Sequence, residues 1–208
     1  MAYEKVQREM IVIVDYGMGN LRSVQKAFER VGHAAMVSGD PTAVQGASKL
    51  VLPGVGAFGA AMENLRVGGL VDPLLDGVRR GVPLLGICLG IQLFFTESEE
   101  KGIHQGLNLL PGQVRLFPET ERVPQIGWNQ IHIKESTRLI EGVPDGAFFY
   151  FVHSYYVDPE DESDIVATTD YGVVYPSIVA RGKVFGIQFH PEKSQDLGLR
   201  ILKNFAEL

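Results

Sequence analysis

The chain has 208 residues, of which 45% are hydrophobic and 24 are glycine, a composition that argues against a disordered protein and predicts one α/β domain with a full core. Its net charge of −6 argues against nucleic acid or an anionic membrane as the main partner. A single cysteine excludes an internal disulfide and favours a reducing, cytoplasmic compartment.

Membrane and metal sites are not expected. No apolar run approaches the roughly 20 residues that a membrane-spanning helix needs. The five histidines are scattered, with no cysteine or histidine partner at ligand spacing, so we expect neither a metal nor a cofactor. Met10 directly precedes the first apolar run, and translation starts at either Met1 or Met10. Residues 1–9 are expected to be a disordered extension before a single domain over residues 10–208.

The first half of the chain alternates apolar runs with amphipathic stretches. The predicted strands are residues 10–15, 34–38, 49–53 and 84–88. A helix with one apolar stripe is predicted after the first strand, capped by Asn20 and ended by Gly32. The alternation predicts a flavodoxin-like α/β fold, an open, mostly parallel sheet with helices on both faces. Ligands in such sheets bind beyond the carboxyl ends of the strands.

A turn at the end of the fourth predicted strand has the pattern of a nucleophile elbow. Residues 83–92 are Pro-Leu-Leu-Gly-Ile-Cys-Leu-Gly-Ile-Gln, a buried strand, a Gly-x-Cys-x-Gly turn and then helical spacing. Gly86 and Gly90 avoid collisions in such a strained turn, and a helix N-terminus favours a thiolate at Cys88. The alternative, a cysteine that is merely a small buried hydrophobe, does not explain the flanking glycines.

The second half is divided into short segments by Gly, Pro and Asp. Its strand candidates are residues 114–117, 130–134, 148–153, 165–169, 177–181 and 184–189. We expect them to extend the sheet and to add an antiparallel layer of strands. The acidic run at residues 97–101 is predicted to be a solvated helix end. Residues 197–205 carry a buried stripe and predict a closing helix.

A histidine and a glutamate follow the last predicted strand, in the segment Gln-Phe-His-Pro-Glu at residues 188–192. His190 and Glu192 are two residues apart and lie on one face of an extended backbone, which Pro191 favours. A carboxylate beside an imidazole sets its tautomer and stabilises the imidazolium. The pattern therefore predicts Cys88 as nucleophile, His190 as proton carrier and Glu192 as the orienting group.

The two motifs together, residues 86–92 and 188–192, resemble the class I (triad) glutamine amidotransferases. The resemblance implies hydrolysis of glutamine to glutamate and ammonia through a cysteine thioester. It also implies an oxyanion hole, from the backbone N–H groups of Leu89 and of the glycine-rich loop after the third strand, at Val55 and Gly56.

The family's glutamine pocket is also implied by the resemblance. It would be made by the side chain of Gln92 and, largely through backbone groups, by His153, Ser154 and Tyr155. Considered alone, His153 is more often a structural histidine.

Two further segments resemble one branch of the family, the glutaminase subunits of imidazole glycerol phosphate synthase. They are residues 15–24, Asp-Tyr-Gly-Met-Gly-Asn-Leu-Arg-Ser-Val, and residues 124–129, Pro-Gln-Ile-Gly-Trp-Asn. Without a third glycine or Gly-Lys-Ser/Thr, the first predicts a tight turn rather than a nucleotide site. The branch implies a heterodimer in histidine biosynthesis. A separate barrel-shaped cyclase subunit, for which this chain has no room, would receive the ammonia.

Three alternatives remain open on the sequence. The chain could be the glutaminase of another synthase, such as that of pyridoxal phosphate, anthranilate or guanylate synthesis. It could be a cysteine peptidase or thioesterase on a similar doubly wound sheet. It could also be a non-catalytic scaffolding subunit that retained the fold, which the intact triad pattern disfavours.

Overall fold

The computed structural model describes residues 10–208, so the expected extension over residues 1–9 lies outside the described part of the chain. The strands are β1 (Ile11–Val14), β2 (Ala35–Ser38), β3 (Lys49–Gly54), β4 (Leu84–Cys88), β5 (Phe95–Ser98), β6 (His104–Gln105), β7 (Leu110–Leu116), β8 (Gln125–Gln130), β9 (His132–Ile133), β10 (Phe148–His153), β11 (Tyr155–Pro159), β12 (Ile165–Asp170), β13 (Val174–Arg181) and β14 (Val184–Ile187). The helices are α1 (Leu21–Arg30), α2 (Pro41–Gln45), α3 (Phe58–Val67), α4 (Val71–Arg79), α5 (Leu89–Gln92) and α6 (Gln195–Ala206).

The main sheet has eight strands in the order β2-β1-β3-β4-β14-β13-β12-β9. The first five run parallel, and the last three are antiparallel to their neighbours. Strands β11-β7-β5-β6 and β10-β8 form two smaller sheets. The predicted fold class, an open and mostly parallel sheet with added antiparallel strands, is confirmed. No helix within residues 10–208 is long and apolar enough to cross a membrane.

The continuous apolar sequence of the first strand reflects burial on both faces of the sheet. Ile11 and Ile13 pack into the core on the side of α1 and α6, whereas Val12 and Val14 pack into the core on the side of α2, α3 and α4. A strand covered on both faces has no polar side, because successive side chains point in opposite directions. Side chains that bind or react with a ligand therefore have to lie at the ends of the strands, because both faces of the sheet are buried.

Three local predictions were wrong. The segment after β14 is not extended throughout, because Pro191–Lys193 form a 3-10 helix, so Glu192 reaches His190 across a tight turn. Asn20 precedes α1, but its side chain caps no backbone N–H and instead accepts a hydrogen bond from the Ser23 hydroxyl at 2.9 Å. The acidic run at residues 97–101 is not a helix end. It begins within β5 and continues into a turn, because β5 pairs with β6 and β7 while Ser98 is fully buried. Strand pairing there overrides the helical tendency of the glutamates.

Candidate active site

The turn after β4 is strained. Cys88 has φ 56° and ψ −110°, a conformation that L-residues rarely adopt, and α5 begins at the next residue. A Cβ atom at Gly86 would lie 2.6 Å from the Phe94 ring, and one at Gly90 would lie 1.8 Å from the Leu52 carbonyl oxygen. Side chains are thus excluded on both sides of the cysteine, and the predicted strand–elbow–helix is confirmed, although α5 is only four residues long.

The parallel pairing of β4 with β14 brings together residues a hundred positions apart. Ile87 is in register with Ile187, so Cys88 and the segment that contains His190 leave the same edge of the sheet. The His190 backbone N–H donates to the Tyr150 carbonyl on β10 at 2.9 Å, which fixes the segment from the other side. The sulfur of Cys88 lies 4.0 Å from the Gln188 side-chain nitrogen.

His190 and Glu192 form a buried pair. Nδ1 of His190 lies 2.9 Å from Oε1 of Glu192, and the two side chains are only 3% and 2% exposed. Burial lowers the pKa of His190, but the adjacent Cys88 and Glu192 outweigh it and raise that pKa to about 10. The ring is therefore an imidazolium at neutral pH. Its Nε2 is buried and has no hydrogen-bond partner within residues 10–208, so this nitrogen remains available for proton transfer.

The loop after β3 lies beside the elbow, because Gly54 is in register with Cys88. Gly56 has φ +103°, and a Cβ atom there would lie 2.6 Å from Met18. The Val55 backbone N–H donates to no other group in the described residues, so it is available to a ligand. The glycine turn at residues 15–20 therefore contributes packing to this loop. The oxyanion role of Val55, Gly56 and Leu89 stays a prediction.

A cavity of about 270 Å³ opens in front of Cys88. Its lining consists of Val55, Gly56, Cys88, Leu89, Gln92, Glu100, Pro124, Val152, His153, Ser154 and Tyr155. All the residues expected to form the oxyanion hole and the substrate pocket are among them. His190 and Glu192 are not in the lining, and their low exposure keeps this pair away from bulk water.

Gln92 and His153 hold the cavity wall in place. The Gln92 amide nitrogen donates to the Tyr155 carbonyl at 2.8 Å and to Gln188 at 3.2 Å, while its carbonyl oxygen accepts no hydrogen bond within residues 10–208. His153 is buried, with Nδ1 2.9 Å from the Tyr155 carbonyl and Nε2 3.2 Å from the Tyr175 hydroxyl. Burial lowers the pKa of His153 to about 4, so its ring is neutral. The structural role of His153 considered from the sequence agrees with this geometry.

Glu100 is a lining residue that sequence reasoning missed. It is the only acidic side chain in the cavity lining, and its Oε2 accepts a hydrogen bond from the Phe58 backbone N–H at 2.7 Å. The sequence signal that could have indicated such a residue is Ala57, which precedes α3 and has no side-chain acceptor to cap that helix. A capping group therefore had to come from elsewhere. Within residues 10–208 no group of three His, Cys, Asp or Glu residues is arranged to hold a metal ion.

The sequence of the chain matches one protein family and close relatives within it. The sequence model of the family "Glutamine amidotransferase class-I" matches residues 12–208. The chain is 57% identical to "Imidazole glycerol phosphate synthase subunit HisH" of Syntrophotalea carbinolica, covering 96% of this chain and 100% of that protein. It is 54% identical to the protein of the same name from Geobacter sulfurreducens, covering 95% and 98%.

Solved structures resemble the fold at lower identity. A "Crystal structure of glutamine amidotransferase" aligns with TM-score 0.75 at 22% identity, over 95% of this chain and 99% of that one. "PurLQS from Thermotoga maritima" aligns with TM-score 0.75 at 17% identity, over 95% and 97%. These two likenesses concern the fold alone.

Proposed function

The chain belongs to the class I glutamine amidotransferase family, and on that premise we propose that it is the glutaminase subunit of an imidazole glycerol phosphate synthase. It would hydrolyse glutamine and pass the ammonia to a cyclase subunit in histidine biosynthesis. The observation that carries the proposal is the strained Cys88 at the mouth of a cavity, next to the buried His190–Glu192 pair. The names of relatives at 57% and 54% identity support the choice of synthase.

The first half of the reaction uses the charge on His190. The Cys88 sulfur attacks the side-chain amide carbon of glutamine, and the backbone N–H groups of Val55 and Leu89 would stabilise the oxyanion. As the tetrahedral intermediate collapses, the carbon–nitrogen bond breaks and Nε2 of His190 gives its proton to the departing nitrogen. Ammonia leaves, a thioester remains and the ring becomes neutral.

In the second half of the reaction the His190 ring acts as a base instead of an acid. Formation of the thioester removes the negative charge at Cys88, which is one cause of the raised pKa of His190. The neutral ring then takes a proton from water, and the resulting hydroxide attacks the thioester carbonyl. Collapse of this second intermediate releases glutamate and leaves the sulfur anion beside an imidazolium. Glu192 holds the ring in position throughout.

The lining of the cavity fits a free amino acid. Glu100 is its only acidic side chain and suits the α-ammonium group of glutamine. The unpaired carbonyl oxygen of Gln92 and the backbone at Ser154 and Tyr155 offer further polar contacts. A peptidase would need space for a chain on both sides of the scissile bond, and a cavity of about 270 Å³ favours a small substrate.

An exposed apolar patch next to the cavity supports a protein partner. We define the β8–β10 patch as Ile126, Trp128 and Phe148, which are 63%, 47% and 53% exposed. Alternation along the paired strands places these three side chains on one face. Val152 is on that face too and lines the cavity. Docking of the cyclase here would place its ammonia entrance close to Cys88.

The test is glutamate release from glutamine, measured for this chain alone and with the cyclase subunit and its ligand, beside Cys88→Ala. We expect release that rises strongly with the liganded partner and is absent in Cys88→Ala. Release that persists in Cys88→Ala would overturn the mechanism. Activation by a different synthase, but not by the cyclase, would overturn the pathway assignment and leave the triad standing.

A further inference from the structure

The loop that contains Val55 and Gly56 is fixed at both ends by side chains from distant parts of the chain. At its start, the Tyr16 hydroxyl donates to the Pro53 carbonyl at 2.9 Å. At its end, the Glu100 carboxylate accepts from the Phe58 N–H at 2.7 Å. No hydrogen bond within the described residues holds the backbone N–H groups of Val55 and Gly56 themselves. These two anchors, together with the β3–β4 pairing that puts Gly54 in register with Cys88, therefore set the position of these N–H groups relative to Cys88.

Glu100 replaces a missing helix cap. The first N–H groups of a helix have no partner within the helix, and Ala57 cannot supply one to α3. A carboxylate at that end also has a favourable interaction with the helix dipole. Glu100 is itself fixed, because its backbone N–H donates to the hydroxyl of the fully buried Ser98 at 3.2 Å. The anchor therefore connects the loop to the β5 strand of the second sheet.

We propose that Glu100 is a positioning residue for amide hydrolysis. Through the Phe58 N–H it would hold the Val55 and Gly56 backbone at the distance from Cys88 at which an oxyanion can be bound. The inference rests on the proposed function, and it is separate from any contact between Glu100 and the substrate ammonium group. An error of about 1 Å in such a constellation can cost on the order of 100-fold in rate.

Two substitutions of Glu100 distinguish its hydrogen bond with the Phe58 N–H from its negative charge. Glu100→Gln keeps an oxygen that accepts from the Phe58 N–H but loses the charge, whereas Glu100→Ala removes both. We expect kcat for thioester formation to fall by roughly 30- to 100-fold in Glu100→Ala. In Glu100→Gln we expect kcat within about threefold of the unchanged protein, with the loss confined to KM. Glu100→Asp, which shortens the side chain, should give an intermediate kcat.

The neighbouring Glu99 provides a matched control. Its carboxylate also accepts from a backbone N–H, that of Leu116 at 2.8 Å, but it does not line the cavity. Glu99→Ala removes the same kind of contact from the same turn and should leave kcat and KM unchanged. A fall in kcat as large as that of Glu100→Ala would indicate general loosening of the turn and would overturn the proposal.

Alkylation of Cys88 by iodoacetamide completes the experiment, because this displacement forms no oxyanion. Cys88 is the only cysteine in the sequence, so labelling reports on it alone. The labelling rate should be equal within about twofold in all variants if only oxyanion support is lost. Equal kcat in Glu100→Ala and Glu100→Gln, or labelling that falls in parallel with kcat, would refute the positioning role. Glutamate release that does not depend on Cys88 in the unchanged protein would instead refute the proposed function.

Discussion

Glu192→Gln should slow hydrolysis of the thioester about 30-fold without abolishing glutamate release. The pKa of His190 is raised from 6.5 to about 10, which at about 1.4 kcal/mol per pKa unit corresponds to about 5 kcal/mol in favour of the imidazolium. Cys88 and Glu192 share this effect, so loss of the Glu192 charge removes about 2 kcal/mol. A carboxamide at residue 192 can still accept from Nδ1, and the nucleophile and the base both remain. During hydrolysis of the thioester the neutral ring becomes an imidazolium, so the loss of about 2 kcal/mol falls on that transition state and corresponds to about 30-fold in rate.

The assay is single-turnover glutamate release between pH 6 and 10 with saturating partner. In Glu192→Gln the decline of the rate at high pH should begin at a lower pH, because the ring loses its proton more easily. Glu207→Gln is the control, since the half-exposed Glu207 carboxylate lies 3.6 Å from His33 on the surface and outside the cavity lining. A rate and a high-pH limb equal to those of the unchanged protein would remove Glu192 from the triad.

Three further predictions concern stability and partner binding. Gly90→Ala should lower the free energy of unfolding by at least about 3 kcal/mol in urea titrations, because the new Cβ would lie 1.8 Å from the Leu52 carbonyl; a loss below about 1 kcal/mol would contradict this packing. The pKa of His153 is lowered to about 4, so the unfolded chain binds a proton that the folded chain does not, and stability should fall as the pH drops from 6.5 towards 4. Between pH 7 and 5 the free energy of unfolding should fall by about 2 kcal/mol because of His153, and urea titrations of His153→Gln should lack this part of the fall. If His153→Gln shows the same pH dependence as the unchanged protein, the ring is charged in the folded state. Trp128→Ala should weaken cyclase binding at least about tenfold in calorimetry while Cys88 alkylation stays unchanged; unaltered affinity would place the interface elsewhere.

The residues that meet beside Cys88 could be predicted because their sequence signals are local. Gly86 and Gly90 are required by the close packing around Cys88, and Pro191 begins the short 3-10 turn in which Glu192 reaches His190. Each pattern spans a few residues, so neither depends on knowing the strand order. The parallel arrangement followed from apolar runs that alternate with amphipathic stretches, because only strands covered on both faces need such runs.

The role of Glu100 could not be predicted, because it depends on a contact 42 residues away. A run of glutamates between hydrophobic segments is usually a solvated surface, and its sequence does not state that β5 pairs with β7. That pairing decides where the turn at Glu100 lies and hence which helix it reaches. The failed Asn20 cap has a related cause: a nearby hydroxyl competed for the asparagine oxygen. The Asn20 oxygen thus has two possible local partners, the Ser23 hydroxyl and the helix N–H groups, and the sequence does not decide between them.

The adjacency of β4 and β14 has a consequence for how such enzymes diversify. Nucleophile and base are aligned by one pair of neighbouring strands, yet the chain between them makes up most of the second half of the molecule. That intervening stretch carries the β8–β10 patch and much of the cavity wall, but it does not set the register between Ile87 and Ile187. Insertions, deletions and new surfaces there can accumulate, provided that β10 keeps the Tyr150 carbonyl that accepts from the His190 N–H. The same pair of strands can therefore hold the reacting groups while the long stretch between them takes on a different outer surface.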